Sequence, residues 1–136
     1  MRGIYLLLLE CLNECEIKIG KLGKVRFKKG NYIYVGSAMN NLEKRILRHL
    51  KKDKKLKWHI DYITTNDNFV IRKIFIKESN KKEEEKISKK FEKYFSFIEN
   101  FGNSDCNDKS HLFLINNLEV LNYLIKELKF KDYNII

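Results

Sequence analysis

The sequence predicts an α/β fold of the α+β type: a small, mainly antiparallel sheet flanked by helices and carrying an inserted β-hairpin. Three observations lead to that expectation. Ile4 to Leu9 is an unbroken apolar run, the pattern of a strand buried on both faces. Two alternating stretches and then an aromatic and β-branched run follow it, and helical periodicity begins only at Leu42. With 136 residues and 43% hydrophobic content the chain suits one packed core, so residues 1–136 are expected to form a single domain.

Each element has its own signal. Ile17 and Ile19 alternate with Lys18, and Val25 and Phe27 alternate with Arg26, on either side of the turn residues Lys21-Leu22-Gly23-Lys24, which describes the hairpin. Lys28 to Asn31 turns the chain into a strand over Tyr32 to Ser37. Asn40 or Asn41 can cap a helix whose apolar row is Leu42, Ile46 and Leu50. Arg45 and His49 lie within about 60° of Leu42 on that helix and are expected to face the rim of the sheet. A basic linker, Lys51 to Lys57, leads to a short helix around Trp58 to Ile63. The next strand should place Val70, Arg72, Ile74 and Ile76 on one face and Phe69, Ile71, Lys73 and Phe75 on the other. Helical spacing of Ile87, Phe91, Tyr94 and Phe95 predicts a helix over Lys81 to Phe97. His111 to Ile115 reads as a late strand and Leu118 to Leu128 as a closing helix.

Charge narrows the partner. The 28 Lys and Arg against 18 Asp and Glu, a net +10, favour a polyanion through phosphate neutralisation and counterion release, and nucleic acid comes first. An anionic membrane would call for basic charge on a strongly apolar helix, which is not seen, so no membrane partner is expected; plain solubility is the simpler alternative. The opening Met1-Arg2 and the run to Leu9 imitate a secretory leader, but the run ends at Glu10 without a small-residue cleavage site. No stretch approaches the roughly 18 apolar residues of a membrane span. The three cysteines, Cys11, Cys15 and Cys106, are too few and odd in number for a disulfide framework. A cytoplasmic location is therefore expected.

The chemistry is concentrated in two tripeptides, Gly3-Ile4-Tyr5 and Tyr34-Val35-Gly36, each inside a strand-like run and followed by Arg45 and His49. Taken singly, each tyrosine could be an ordinary core aromatic with a satisfied hydroxyl. Together with Ser37, Ala38 and Leu42 the set resembles the signature of the GIY-YIG nuclease superfamily, closest to its Uri-like branch. Trp58-His59-Ile60-Asp61-Tyr62 and Phe101-Gly102-Asn103-Ser104-Asp105-Cys106, with Ser110-His111-Leu112-Phe113 after it, also resemble that branch. The likeness covers Gly3 to about Phe113. It departs in the 28 residues between Tyr5 and Tyr34, where compact members have fewer, and the hairpin fills that gap.

The resemblance implies a GIY-YIG-like core and a metal-dependent endonuclease acting on nucleic acid, DNA ahead of RNA, in repair or processing, with DNA-repair proteins as further partners. The alternative is a non-catalytic nucleic-acid-binding module on the same fold. In the enzyme, Tyr5 and Tyr34 would handle the attacking water, and Arg45 would grip phosphate with its planar fork. His49 would carry a proton, contact phosphate, or simply close a helix end. Free tyrosine has a pKa of about 10, so a tyrosine base would need a nearby positive charge. Of Glu83, Glu84 and Glu85, the likeness selects Glu84 to hold a single Mg²⁺ or Mn²⁺. Lys18, Lys24 and Arg26 on the hairpin, with Arg48 on the helix, would extend the phosphate-binding surface. His59, Asp61, Asp105, Cys106 and His111 are all capable metal ligands, and Cys106 with His111 could begin a zinc site. The favoured role for His59 and Asp61 is to hydrogen-bond with the Ser104 to His111 segment and so fix the wall of the site.

Overall fold

In the computed structural model, which describes residues 1–103 and 106–134, the chain runs β1 (Gly3–Cys11), β2 (Cys15–Ile19), β3 (Gly23–Phe27), β4 (Gly30–Ala38), α1 (Leu42–Leu50), α2 (His59–Thr64), β5 (Phe69–Glu78), α3 (Glu84–Glu92), β6 (Leu112–Ile115), α4 (Leu118–Glu127) and β7 (Lys131–Asp132). A five-stranded antiparallel sheet forms in the order β6-β4-β1-β5-β7, and β2 with β3 makes a separate two-stranded sheet. The expected α+β architecture and inserted hairpin are both present.

The apolar run of β1 explains its central place. Its side chains alternate between two cores, Ile4 and Leu6 entering one and Tyr5, Leu7 and Leu9 the other. One face of the sheet is covered by α3 and α4, whose Ile87, Phe91, Leu121 and Leu124 pack with Ile33, Val35 and Phe113. Ile46 of α1, Ile60 and Ile63 of α2, and Ile17, Ile19 and Phe27 of the hairpin fill the opposite face. Asn41 caps α1 by accepting from the Lys44 amide at 3.0 Å, and Asn117 caps α4 through the amides of Glu119 and Val120. Among the described residues no helix is long and apolar enough to cross a membrane.

Four details differ from the sequence-based expectation. The third member of the buried row of α1 is His49, 1% exposed, while Leu50 is 39% exposed. Seven residues advance a helix to within about 20° of its start and eight overshoot to about 80°, so His49 stays under Leu42 and Leu50 turns outward. In β5 the pairing with β1 jumps from Lys73 opposite Leu8 to Ile71 opposite Leu9, leaving Arg72 as an extra residue. That irregularity swaps the faces, so Phe69 and Ile71 join Ile74 and Ile76 in one core. The helix expected over Lys81 to Phe97 is regular only over Glu84–Glu92. Beyond it Tyr94 is exposed and the chain extends to bridge Phe97 to Phe113. The two-residue β7 had no sequence signal.

Candidate active site

The close approach of β1 and β4 brings the two tyrosines together. Tyr5 lies opposite Gly36, and Leu7 opposite Tyr34, so the tyrosines are diagonal neighbours on one face with ring centroids 6.4 Å apart. A Cβ on Gly36 would overlap the Tyr5 ring, and one on Gly3 would overlap the Lys77 carbonyl oxygen. The glycines of both tripeptides are thus required by contact.

His49 reaches down from α1 to place Nε2 2.6 Å from the Tyr5 hydroxyl. Its ring also lies against Tyr34 and Trp58. Burial, reinforced by the nearby Lys54 ammonium, lowers the His49 pKa to about 3, so the imidazole is neutral at pH 7. Lys54 Nζ is held there by the carbonyl oxygens of Arg48 and His49, at 3.0 Å each. Burial pushes the Tyr5 phenol well above its ordinary value, against the pull of Arg45, and burial and Tyr5 push Tyr34 up likewise. Neighbouring positive charge does not bring either tyrosine down, because desolvation of a fully enclosed phenolate outweighs one guanidinium.

Two arginines lie over the Trp58 ring, with guanidinium carbons 4.6 Å (Arg45) and 4.3 Å (Arg48) from its centroid. Arg45 donates to the Ser37 carbonyl at 3.0 Å, which anchors the fork on the end of β4. Arg48 makes a bidentate pair with Asp61, both bonds 2.8 Å. The Asp61 carboxylate also accepts from the amides of Lys57 and Trp58 and so caps α2. Burial acts to raise the Asp61 pKa, but the Arg48 hydrogen bonds and the two amides prevail and hold it below the usual carboxylate range. Arg48 is thus engaged inside the protein, and among the described residues the Asp61 carboxylate bonds to Arg48 and the two amides, not to residues 106–111. His59 comes closer to the expectation, its Nδ1 accepting from the Gly102 amide at 2.9 Å, just ahead of that segment. Ser104 and Asp105 lie outside the described residues.

These elements enclose an open cavity of about 510 Å³, whose walls include Tyr5, Tyr34, Arg45, Trp58, Glu84 and His111. Of the three adjacent glutamates it is Glu84 that lines it. Glu83 instead accepts from the Ser79 hydroxyl at 2.7 Å, and Glu85 from the Asn107 amide at 2.7 Å. On the hairpin Lys18, Lys24 and Arg26 are exposed and outside the cavity wall, Lys24 lying 4.0 Å from Glu16 and Arg26 3.6 Å from Glu14.

His111 stands at the back of the cavity, with Nδ1 4.0 Å from Glu84 Oε2 and Nε2 2.7 Å from Asp108 Oδ2. Cys106, Asp108 and His111 each offer a ligand atom, all within 4.8 Å of one another, a cluster able to hold a metal ion. Burial raises the Asp108 pKa despite His111, and burial and Asp108 push the Cys106 thiol up to about 11. Sequence reasoning gave Asp108 no role, although the spacing Cys-x-Asp-x-x-His was a usable signal. It also left Trp58, Lys54 and Lys57 unassigned.

Residues 4–132 match the family described as Domain of unknown function DUF123, nearly the whole chain, and the protein belongs to that family. No curated protein and no solved structure matches it.

Proposed function

We propose that this member of the DUF123 family is a metal-dependent endonuclease that hydrolyses phosphodiester bonds in nucleic acid, with DNA preferred over RNA as the substrate class. The observation that carries this reading is the convergence of Tyr5, Tyr34, Arg45 and Glu84 on one cavity, with His49 behind Tyr5 at 2.6 Å. Four chain segments supply these groups, and they are the residues that resemble the GIY-YIG signature. A net charge of +10 supports a polyanionic substrate. A role in repair or processing, with DNA-repair partners, rests on the family likeness. A reducing cytoplasmic setting suits three free cysteines.

Phosphodiester hydrolysis needs a proton taken from water and negative charge offset at phosphorus. Neither tyrosine ionises on its own, so we assign the base role to the pair. As water gives a proton to the Tyr5 oxygen, Tyr5 passes its own proton to Nε2 of neutral His49. A bound phosphodiester adds negative charge beside His49 and favours the imidazolium that forms. Arg45, with one N–H fixed on Ser37, offers the rest of its fork to phosphate oxygens. Tyr34 positions the water from the second strand.

The donor chemistry of Glu84 fits a hard divalent cation. It is a carboxylate, 14% exposed, on the wall of a cavity roomy enough for an ion that keeps several of its waters. Glu84 would hold Mg²⁺ or Mn²⁺, which when bound neutralises charge at the scissile phosphate and the leaving oxygen. Glu83 and Glu85 are committed to Ser79 and Asn107.

The test is cleavage of labelled single-stranded, duplex and branched DNA and matched RNA, with Mg²⁺, Mn²⁺ or EDTA. Glu84→Ala should abolish cutting and leave binding nearly intact, whereas Arg45→Ala should impair both. Undiminished cutting by Glu84→Ala would overturn the metal assignment. Salt-sensitive binding without cutting on every substrate would replace the enzyme by a nucleic-acid-binding module.

A further inference from the structure

We propose that Cys106, Asp108 and His111 form a second metal site, for a zinc-type transition ion, distinct in chemistry from the carboxylate site at Glu84. All three come from the loop leading into β6, and their ligand atoms lie within 4.8 Å of one another. Zinc bonds of about 2.0–2.3 Å set tetrahedral donors roughly 3.3–3.8 Å apart, so closing around one ion takes movements of about an ångström.

The decisive feature is unmet polarity. The Asp108 side chain is 0% exposed and that of His111 is 2% exposed. Both carboxylate oxygens of Asp108 and Nε2 of His111 lack a hydrogen-bond partner among the described residues. Nε2 and Oδ2 are only 2.7 Å apart, yet the alignment is not that of a hydrogen bond. Buried groups of this kind are ordinarily hydrogen-bonded, and a fully buried carboxylate whose close contact is the edge of the His111 ring, at 2.7 Å, is a costly exception. A cation bonded to sulfur, nitrogen and oxygen would satisfy all of them at once. Thiolate and imidazole donors select zinc and its neighbours over Mg²⁺, so this site and Glu84 would not compete for one ion.

The other ring nitrogen gives the site its consequence. A metal on Nε2 leaves the proton on Nδ1, which faces Glu84 Oε2 at 4.0 Å. Ligating histidines commonly donate their second N–H to a carboxylate, and Glu84 would have to close in from 4.0 Å to accept it. The loop is already stitched to α3 on its outer side by Asn107 N–H to Glu85 and Lys109 N–H to Glu92. The ion would fasten its inner side and hold Glu84 toward the cavity. The site itself stands independently of the nuclease reading; only this link to Glu84 rests on it.

Cobalt(II) titration of the reduced full-length chain provides the test. One equivalent should bind with a thiolate-to-cobalt charge-transfer band in the near ultraviolet, displaced by Zn²⁺. Cys106→Ser should abolish the band, and Asp108→Asn, nearly isosteric, should weaken binding by more than about a hundredfold, beyond the loss of an outer-shell partner. The band should persist in the Cys11→Ser/Cys15→Ser double variant and in Glu84→Ala. No thiolate band in the parent protein at saturating cobalt would overturn the proposal, without requiring any variant to fold. So would a band lost with Cys11 and Cys15 but kept in Cys106→Ser. Cobalt binding in a protein that cuts nothing would leave this site standing while the nuclease reading fell.

Discussion

His49 and His111 are both buried imidazoles beside the same cavity, and their surroundings give them opposite chemistry. His49 sits among Tyr5, Tyr34 and Trp58 with one well-placed hydroxyl at 2.6 Å and the Lys54 ammonium nearby. That setting repels positive charge and suits a neutral proton acceptor. His111 faces a buried carboxylate, a thiol and Glu84, a set of donors that suits a bound cation. Burial alone therefore does not define a histidine's role, and the sign of the charge around it separates the two proposed roles, proton transfer and metal binding.

The contrast breaks most visibly if the two histidines are exchanged for apolar residues. His49→Phe should lower the cleavage rate by about 10²–10⁴-fold, the usual worth of acid–base catalysis, and leave the cobalt band in place. Tyr5→Phe should lose about as much, and the double variant little more, since the pair acts as one unit. His111→Phe should instead remove the cobalt band. Single-turnover kinetics and cobalt spectra, with circular dichroism to confirm folding, would check all of these, and equal loss of both signals in both variants would erase the distinction.

Next in size is a pH effect on stability. An unfolded His49 takes up a proton below its ordinary pKa of 6.5, while the folded one resists until about 3. The folded state therefore loses stability as pH falls through that window, by up to about 5 kcal/mol, and keeps the contribution above pH 6.5. Urea unfolding from pH 7 down to 4 should show this slope, and it should flatten in His49→Phe.

Asp61→Ala should cost about 3 kcal/mol, because it strands Arg48 and uncaps α2 behind Trp58. Urea midpoints of the parent and the variant measure it, and a change under about 0.5 kcal/mol, the scale of an ordinary surface substitution, would show that the pair does not brace this wall. The smallest expected effects lie far from both histidines, on the hairpin. Lys18→Ala and Arg26→Ala should each lower the slope of log affinity for DNA against log salt by about 1 if they contact phosphate, with no change in the cobalt band.

Much of this arrangement was legible in the sequence because it depends on local repetition. The continuous apolar run of β1, the hairpin alternation and the Asn41 cap each follow from neighbouring residues. Tyr5, Tyr34, Arg45 and Glu84 could likewise be placed by spacing and family likeness. What escaped was decided by partners distant in sequence. The extra residue Arg72 exists only because Leu8 and Leu9 fix the register of β5, so strict alternation assigned Phe69 and Ile71 to the wrong face. Arg48 is visibly basic, but its carboxylate partner comes from α2, thirteen positions away. The enclosure of Asp108 depends on how the loop before β6 folds back under α3. His49 was recognised as a site residue, yet its burial in place of Leu50 follows from the drift of the helix, which a four-residue count conceals.

The short strands also decide how the sheet ends. At one margin the four residues of β6 are overlain by the chain at 96–98, through Ile98 N–H to Leu112 and Leu114 N–H to Ser96. At the other, β7 and the Tyr133 amide cover β5 at Ile74 to Ile76, and next to this stretch β5 carries exposed Arg72 and Lys73. Long open margins are templates for sheet-to-sheet growth, and short cover and charge are the ordinary defences against it. Removing the few residues from Lys131 onward would uncover Ile74 to Ile76 of β5, so a two-residue strand shields apolar sheet margin against pairing with another chain.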